Sequence, residues 1–101
     1  MERYNSRIVD ELNRISIPSG LRKELCINTG DKFSLTVVGT ITVMQKVEGD
    51  AGSACAICEI NDLGLITLPA EVRQPMGWKE RDSIALYHTD NLLILKSATK
   101  K

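Results

Sequence analysis

Apolar positions along this chain fall into two periodicities, and each occurs twice. Over residues 32–38, "KFSLTVV", Phe33, Leu35 and Val37 alternate with their neighbours, a period of two that puts them on one face of a strand. Over residues 83–89, "SIALYHT", Ile84, Leu86 and His88 keep the same phase. A tight turn at "GT" or "DN" leads each run into a last strand, "ITVMQK" or "LLILKS". Upstream, Leu21 and Leu25, or Val72 and Met76, stand four apart, the spacing of one helix face. Pro18 or Pro69 is predicted at the first helical position, where a missing N–H costs nothing. Further upstream, β-branched residues flank "DELN" and "NDLG", which predicts a short strand near 7–9, a turn, and a second strand near 14–17. Each unit therefore reads strand, turn, strand, short helix, strand, turn, strand.

The two units are one sequence written twice. Residues 9–25 read "VDELNRISIPSGLRKEL" and residues 60–76 read "INDLGLITLPAEVRQPM". An offset of 51 brings Leu12 onto Leu63, Ile15 onto Ile66, Pro18 onto Pro69, Arg22 onto Arg73, Asp31 onto Asp82 and Leu35 onto Leu86 without a gap. Apolar phase kept over such a length marks an internal duplication. Repeat one spans 7–46, repeat two 55–97, and the joining segment 47–54, "VEGDAGSA", reads as a flexible linker. Neither repeat, at roughly 40 residues, buries enough apolar surface to stand alone, so the 101 residues are expected to form a single domain with one shared core.

Composition narrows the function classes. With 43 % apolar and 26 % charged residues the chain is an ordinary globular sequence. It has no apolar run near the ~20 residues of a membrane span and no signal-peptide core, so a cytoplasmic location without membrane contact is expected. Cys26, Cys55 and Cys58 are then expected as free thiols. Lys and Arg number 13 and so do Asp and Glu, so no global field draws the chain toward a polyanion. The distribution is uneven: residues 7–46 hold six cations and four acids (+2), whereas residues 58–97 hold four and six (−2).

The stretch "VDELNRISIPSGLRKELCINTGDKF" resembles the AbrB-type (SpoVT-AbrB) DNA-binding family, over residues 7–46 and again, more weakly, over 58–97. The resemblance implies a mostly β fold with short helices: a swapped-hairpin (double-split) β-barrel, built here from two fused repeats as a pseudo-dimer. It also implies duplex DNA binding in transcription regulation, through basic residues flanking the first hairpin and on the short helix. Those positions are Arg7, Arg14, Arg22 and Lys23; in repeat two they are Cys58, Leu65, Arg73 and Gln74, so only Arg73 keeps its charge. DNA contact is accordingly expected mainly through repeat one, with a homodimer of whole chains presenting two such edges. Independently of any family, arginines on a rigid platform can neutralise phosphates and form bidentate bonds to guanine.

Other signals have plainer readings. "CAIC" offers two thiols where zinc takes four ligands, and strand residues three apart point to opposite faces, so packing is expected of Cys55 and Cys58, as of Cys26. His88 reads as a satisfied interior histidine and Trp78, aligned with Ile27, as a core residue. The acids of "DELN" read as solvated turn carboxylates. There is no nucleophile elbow, phosphate-cradling loop or metalloprotease motif, so neither enzymatic activity nor a cofactor is expected. Two alternatives remain open: an interaction or dimerisation module whose DNA binding has decayed, and the antitoxin of a toxin–antitoxin pair. Only "ATKK" follows Ser97, so a toxin-wrapping tail is not expected.

Overall fold

The computed structural model describes the backbone of residues 2–47, 56–89 and 92–98, with side chains from residue 6 onward. The linker beyond Val47, Cys55 and the turn expected at 90–91 lie outside the described residues. Repeat one supplies β1 (Glu2–Ile8), β2 (Arg14–Ser16), α1 (Ser19–Glu24), β3 (Lys32–Val38) and β4 (Ile41–Lys46). Repeat two supplies β5 (Ala56–Glu59), β6 (Leu65–Thr67), α2 (Ala70–Met76), β7 (Ser83–His88) and β8 (Leu92–Ser97). The chain is mostly β with two short helices, and its main sheet curls into a half-barrel.

Pairing crosses between the repeats. The six-stranded sheet runs β1-β7-β8-β4-β3-β5, and β2 and β6 form a separate antiparallel ribbon. Each repeat's first strand thus leaves its own unit and pairs with the third strand of the other. Exchanging the repeats reverses this strand order without changing it, so the sheet has a pseudo-two-fold axis. Only a residue near that axis can pair with its own counterpart at an offset of 51, and two pairs do so: Val43 with Ile94 in β4–β8, and Ile15 with Ile66 in β2–β6. The axis therefore passes through the centre of the sheet and the centre of the ribbon.

The buried positions follow the alternation read from the sequence, except that Ala85 in β7 is buried as well. Phe33, Leu35, Ile84, Leu86 and His88 are buried, with Val37 packed against them. Ile15, Ile17, Leu21, Ile66, Leu68 and Val72 close the core from the ribbon and helix side. The core is one cluster drawn from both repeats. Leu25 and Met76, one turn after Leu21 and Val72, are only partly buried.

The prolines sit one position earlier than predicted. Pro18 (ψ 145°) and Pro69 (ψ 155°) keep extended backbone and cap the helices from outside. Each prolyl carbonyl accepts the first helical bond, from Arg22 N and Arg73 N at 2.9 Å, which is the role of an N-cap. Cys26 also departs from expectation, being exposed. It takes the left-handed conformation (φ 56°) just beyond α1, where its counterpart Gly77 (φ 70°) ends α2. A residue there turns the chain outward, and its side chain leaves the core.

Candidate nucleic-acid interface

The ribbon is the place where the arginines gather. In β2–β6, Arg14 faces Thr67, Ile15 faces Ile66 and Ser16 faces Leu65. Ile15 and Ile66 point into the core, so Arg14, Ser16, Leu65 and Thr67 form the ribbon's outer face. Backbone bonds from Ile17 N to the Gly64 carbonyl and from Leu68 N to the Asn13 carbonyl, both 2.8 Å, extend the ladder by one step at each end.

Arg14 is held by its own turn. Its Nε donates to Asp10 Oδ2 at 2.8 Å, while Asp10 Oδ1 accepts the backbone N–H groups of Leu12 (2.9 Å) and Arg14 (2.8 Å). Of the two "DELN" acids, Asp10 is thus a built-in clamp, whereas Glu11 is exposed. Repeat two keeps the backbone half of this device: Asn61 Oδ1 accepts from Leu63 N (2.9 Å) and Leu65 N (3.0 Å). Its ionic half is gone on both sides at once, because where Leu65 replaces the arginine, Asn61 replaces the aspartate. Partial desolvation pushes the Asp10 carboxyl upward, but the Arg14 N–H, the Arg14 guanidinium and the Leu12 N–H outweigh it and hold it below the usual aspartate value. A lowered folded pKa stabilises above the unfolded value and is lost as pH falls through the folded one. Stability should therefore fall in a step below pH ~4 that is absent in Asp10→Asn, so that the two proteins differ most near neutrality and converge in acid. Identical acid limbs in a denaturation series would remove the clamp.

Arg22 and Arg73 are anchored alike. Each donates Nε to the carbonyl just before the helix-capping proline, Arg22 to Ile17 at 2.9 Å and Arg73 to Leu68 at 2.8 Å. Each anchor stays within its own repeat but sits against the turn of the other. A Cβ on Gly64 (φ 79°) would come within 2.9 Å of Arg22 Cζ, so the guanidinium lies directly against the turn of repeat two. Leu68, which accepts from Arg73, is itself bonded to Asn13 in the turn of repeat one. Lys23 is exposed beside Arg22. Among the described residues, no hydrogen bond uses the Nη groups of Arg14, Arg22 or Arg73.

Arg7 stands apart from this group. It pairs with buried Ile84 as Cys58 pairs with buried Phe33, so both side chains are in the inward phase. The Arg7 stem runs along the core's edge, with its Nε buried and no hydrogen-bond partner to it among the described residues. Cys58 is buried within its own fold, and burial pushes its thiol up to about 12. It is covered by its own strands and is not a cation position that faces outward. His88 is buried with Nδ1 3.0 Å from the Thr89 carbonyl. No group of three or more His, Cys, Asp or Glu among the described residues could hold a metal. Among the described residues, no helix is long and apolar enough to cross a membrane.

Sequence reasoning missed the crossing of Arg22 onto the other repeat, which no local pattern encodes. The Asp10–Arg14 clamp was visible as a joint change, Asp/Arg in one copy and Asn/Leu in the other. Among known proteins, no family model and no curated protein matches this chain. Among solved structures, the chain is similar in fold to PHS018 from Pyrococcus horikoshii, a solution structure, with a TM-score of 0.54 and 23 % identity over 100 % of this chain and 99 % of that one.

Proposed function

We propose that this protein is a duplex-DNA-binding transcriptional regulator of the AbrB kind, its interleaved half-barrel being a swapped-hairpin (double-split) barrel closed by two repeats of one chain. The observation that carries this reading is the set of three arginines around the ribbon, each anchored through Nε with its Nη end unused. A guanidinium fixed at one nitrogen loses less side-chain entropy when its remaining donors meet a phosphate or a guanine edge. The scale also suits DNA. Asn13 and Ile17, which flank β2 at the two ends of the ribbon, are four residues apart, at most about 14 Å at strand rise, and a two-stranded ribbon can enter a major groove about 12 Å wide. DNA contact in this reading comes from Arg14, Arg22, Lys23 and Arg73. The two-fold relation gives Arg73 the same standing as Arg22, where sequence alone placed contact mainly in repeat one.

Of this set, repeat two lost the Arg14-type contact to Leu65 and the Lys23-type contact to Gln74, and the first can be rebuilt together with its clamp. Leu65→Arg with Asn61→Asp would recreate the clamp at the symmetry-related position. DNA affinity should rise about 5- to 10-fold, the effect of one added charge-assisted contact, with folding intact. Unchanged affinity in a well-folded variant would contradict the reading. A second reading, pairing of whole chains through this face, is favoured by Leu12 and Leu63, 57 % and 71 % exposed at the two turn tips. Loss of self-association in the same variant, measured by light scattering, would support that second reading.

A further inference from the structure

The duplication supplies an internal template for a site that only one repeat fills. Beyond α1, Lys46 Nζ donates to the Cys26 carbonyl at 3.1 Å and pairs with Asp31 Oδ2 at 3.2 Å. The same frame recurs beyond α2. Asp82 Oδ2 accepts Lys79 N at 3.0 Å as Asp31 Oδ2 accepts Asn28 N at 2.7 Å, and Asp82 N bonds the Lys79 carbonyl as Asp31 N bonds that of Asn28. Gly77 N reaches Gln74 O at 3.2 Å as Cys26 N reaches Lys23 O at 3.2 Å. The lysine alone is missing: the counterpart of Lys46 is Ser97. Ser97 turns instead to Trp78, whose Nε1 donates to its Oγ at 2.8 Å. A pocket of about 400 Å³ opens there, lined by Met76, Gly77, Trp78, Lys79, Asp82, Ser83 and Ser97. Among the described residues no cation pairs with Asp82 and no hydrogen bond reaches the Gly77 carbonyl.

We infer that this pocket binds a primary alkylammonium group, which takes the place held in repeat one by the Lys46 side chain. Asp82 receives the charge, the Gly77 carbonyl at the helix C-terminus accepts a second N–H, and the Trp78 face covers the alkyl stem. Repeat one shows that this frame accepts an ammonium and what length of stem reaches it. The ammonium belongs either to a free alkylamine or to a lysine of another chain, and both present the same chemistry.

The test is an amide-shift NMR titration of the full chain with n-butylammonium, followed at Gly77, Trp78 and Lys79. Saturable shifts with a Kd of the order of 1 mM are expected, with n-butanol and added salt giving none. Asp82→Asn, which keeps an oxygen for the Lys79 N–H, should weaken binding at least about tenfold. Ser97→Lys should abolish it by filling the site from within, and it leaves Asp82 intact should the first variant fold poorly. Tighter binding of Nα-acetyl-lysine methylamide than of n-butylammonium assigns the site to a lysine side chain, and the reverse order to a free amine. Equal shifts with n-butanol, no saturable shift up to about 100 mM, or binding that survives Ser97→Lys would overturn the inference.

Discussion

Residues 1–48 expressed alone will give a fragment without a cooperative thermal transition, or one that self-associates. The expectation follows from where the strands find their partners. Within repeat one only β3 and β4 pair with each other; β1 needs β7, β2 needs β6, and β3 and β4 need β5 and β8 on their second edges. A lone repeat would expose four unpaired strand edges together with Ile15, Leu21 and Leu35, which are fully buried in the intact chain. Roughly 40 residues cannot offset the conformational entropy of folding with half a core. Mixing in residues 49–101 should restore a single transition, because the missing edges are those of repeat two. A monomeric 1–48 fragment with a sharp melt would contradict the shared core.

Alanine at Arg22 should weaken DNA binding by about 1–3 kcal/mol, roughly 5- to 150-fold, and alanine at Arg73 by a similar amount. Both residues carry the same Nε anchor to the carbonyl before the proline, on opposite ends of the ribbon. The variant that isolates geometry from charge is Arg22→Lys. It retains the cation but has no fork to hold one end on Ile17 while the other faces outward, so it should recover less than half of the lost binding energy. Full recovery would reduce Arg22 to a point charge. Gly64 is the position that keeps this arrangement open, since any side chain there meets Arg22 Cζ at 2.9 Å.

Much of the architecture was legible because alternation and helical spacing are local properties. The run at 32–38 declared a strand and its buried face, and the offset of 51 declared that the fold would be built twice. Alternation fixes which face a residue occupies but not which strand lies beside it. The pairing of β1 with β7 and of β5 with β3 was therefore invisible, and with it the inward phase of Arg7 and Cys58. Counting cations along the chain placed Arg7 with Arg14, whereas the strand register places it at the core's edge opposite Ile84. The proline positions were one residue out for a similar reason: a missing N–H is tolerated both at the first helical residue and at its cap, and only the backbone torsions separate the two. Lys46 and Ser97 stood in equivalent places in the sequence from the start, yet nothing local tied either to the end of its helix.

The central claim, that the arginine-flanked ribbon meets DNA phosphates, is tested most directly by titrating the full chain onto duplex DNA from upstream of its own coding sequence at several salt concentrations. Four contacts, from Arg14, Arg22, Lys23 and Arg73, predict a log–log slope of about −4 per chain, near −0.9 for each, and about twice that if two chains bind together. A flat salt response from a folded protein would contradict it.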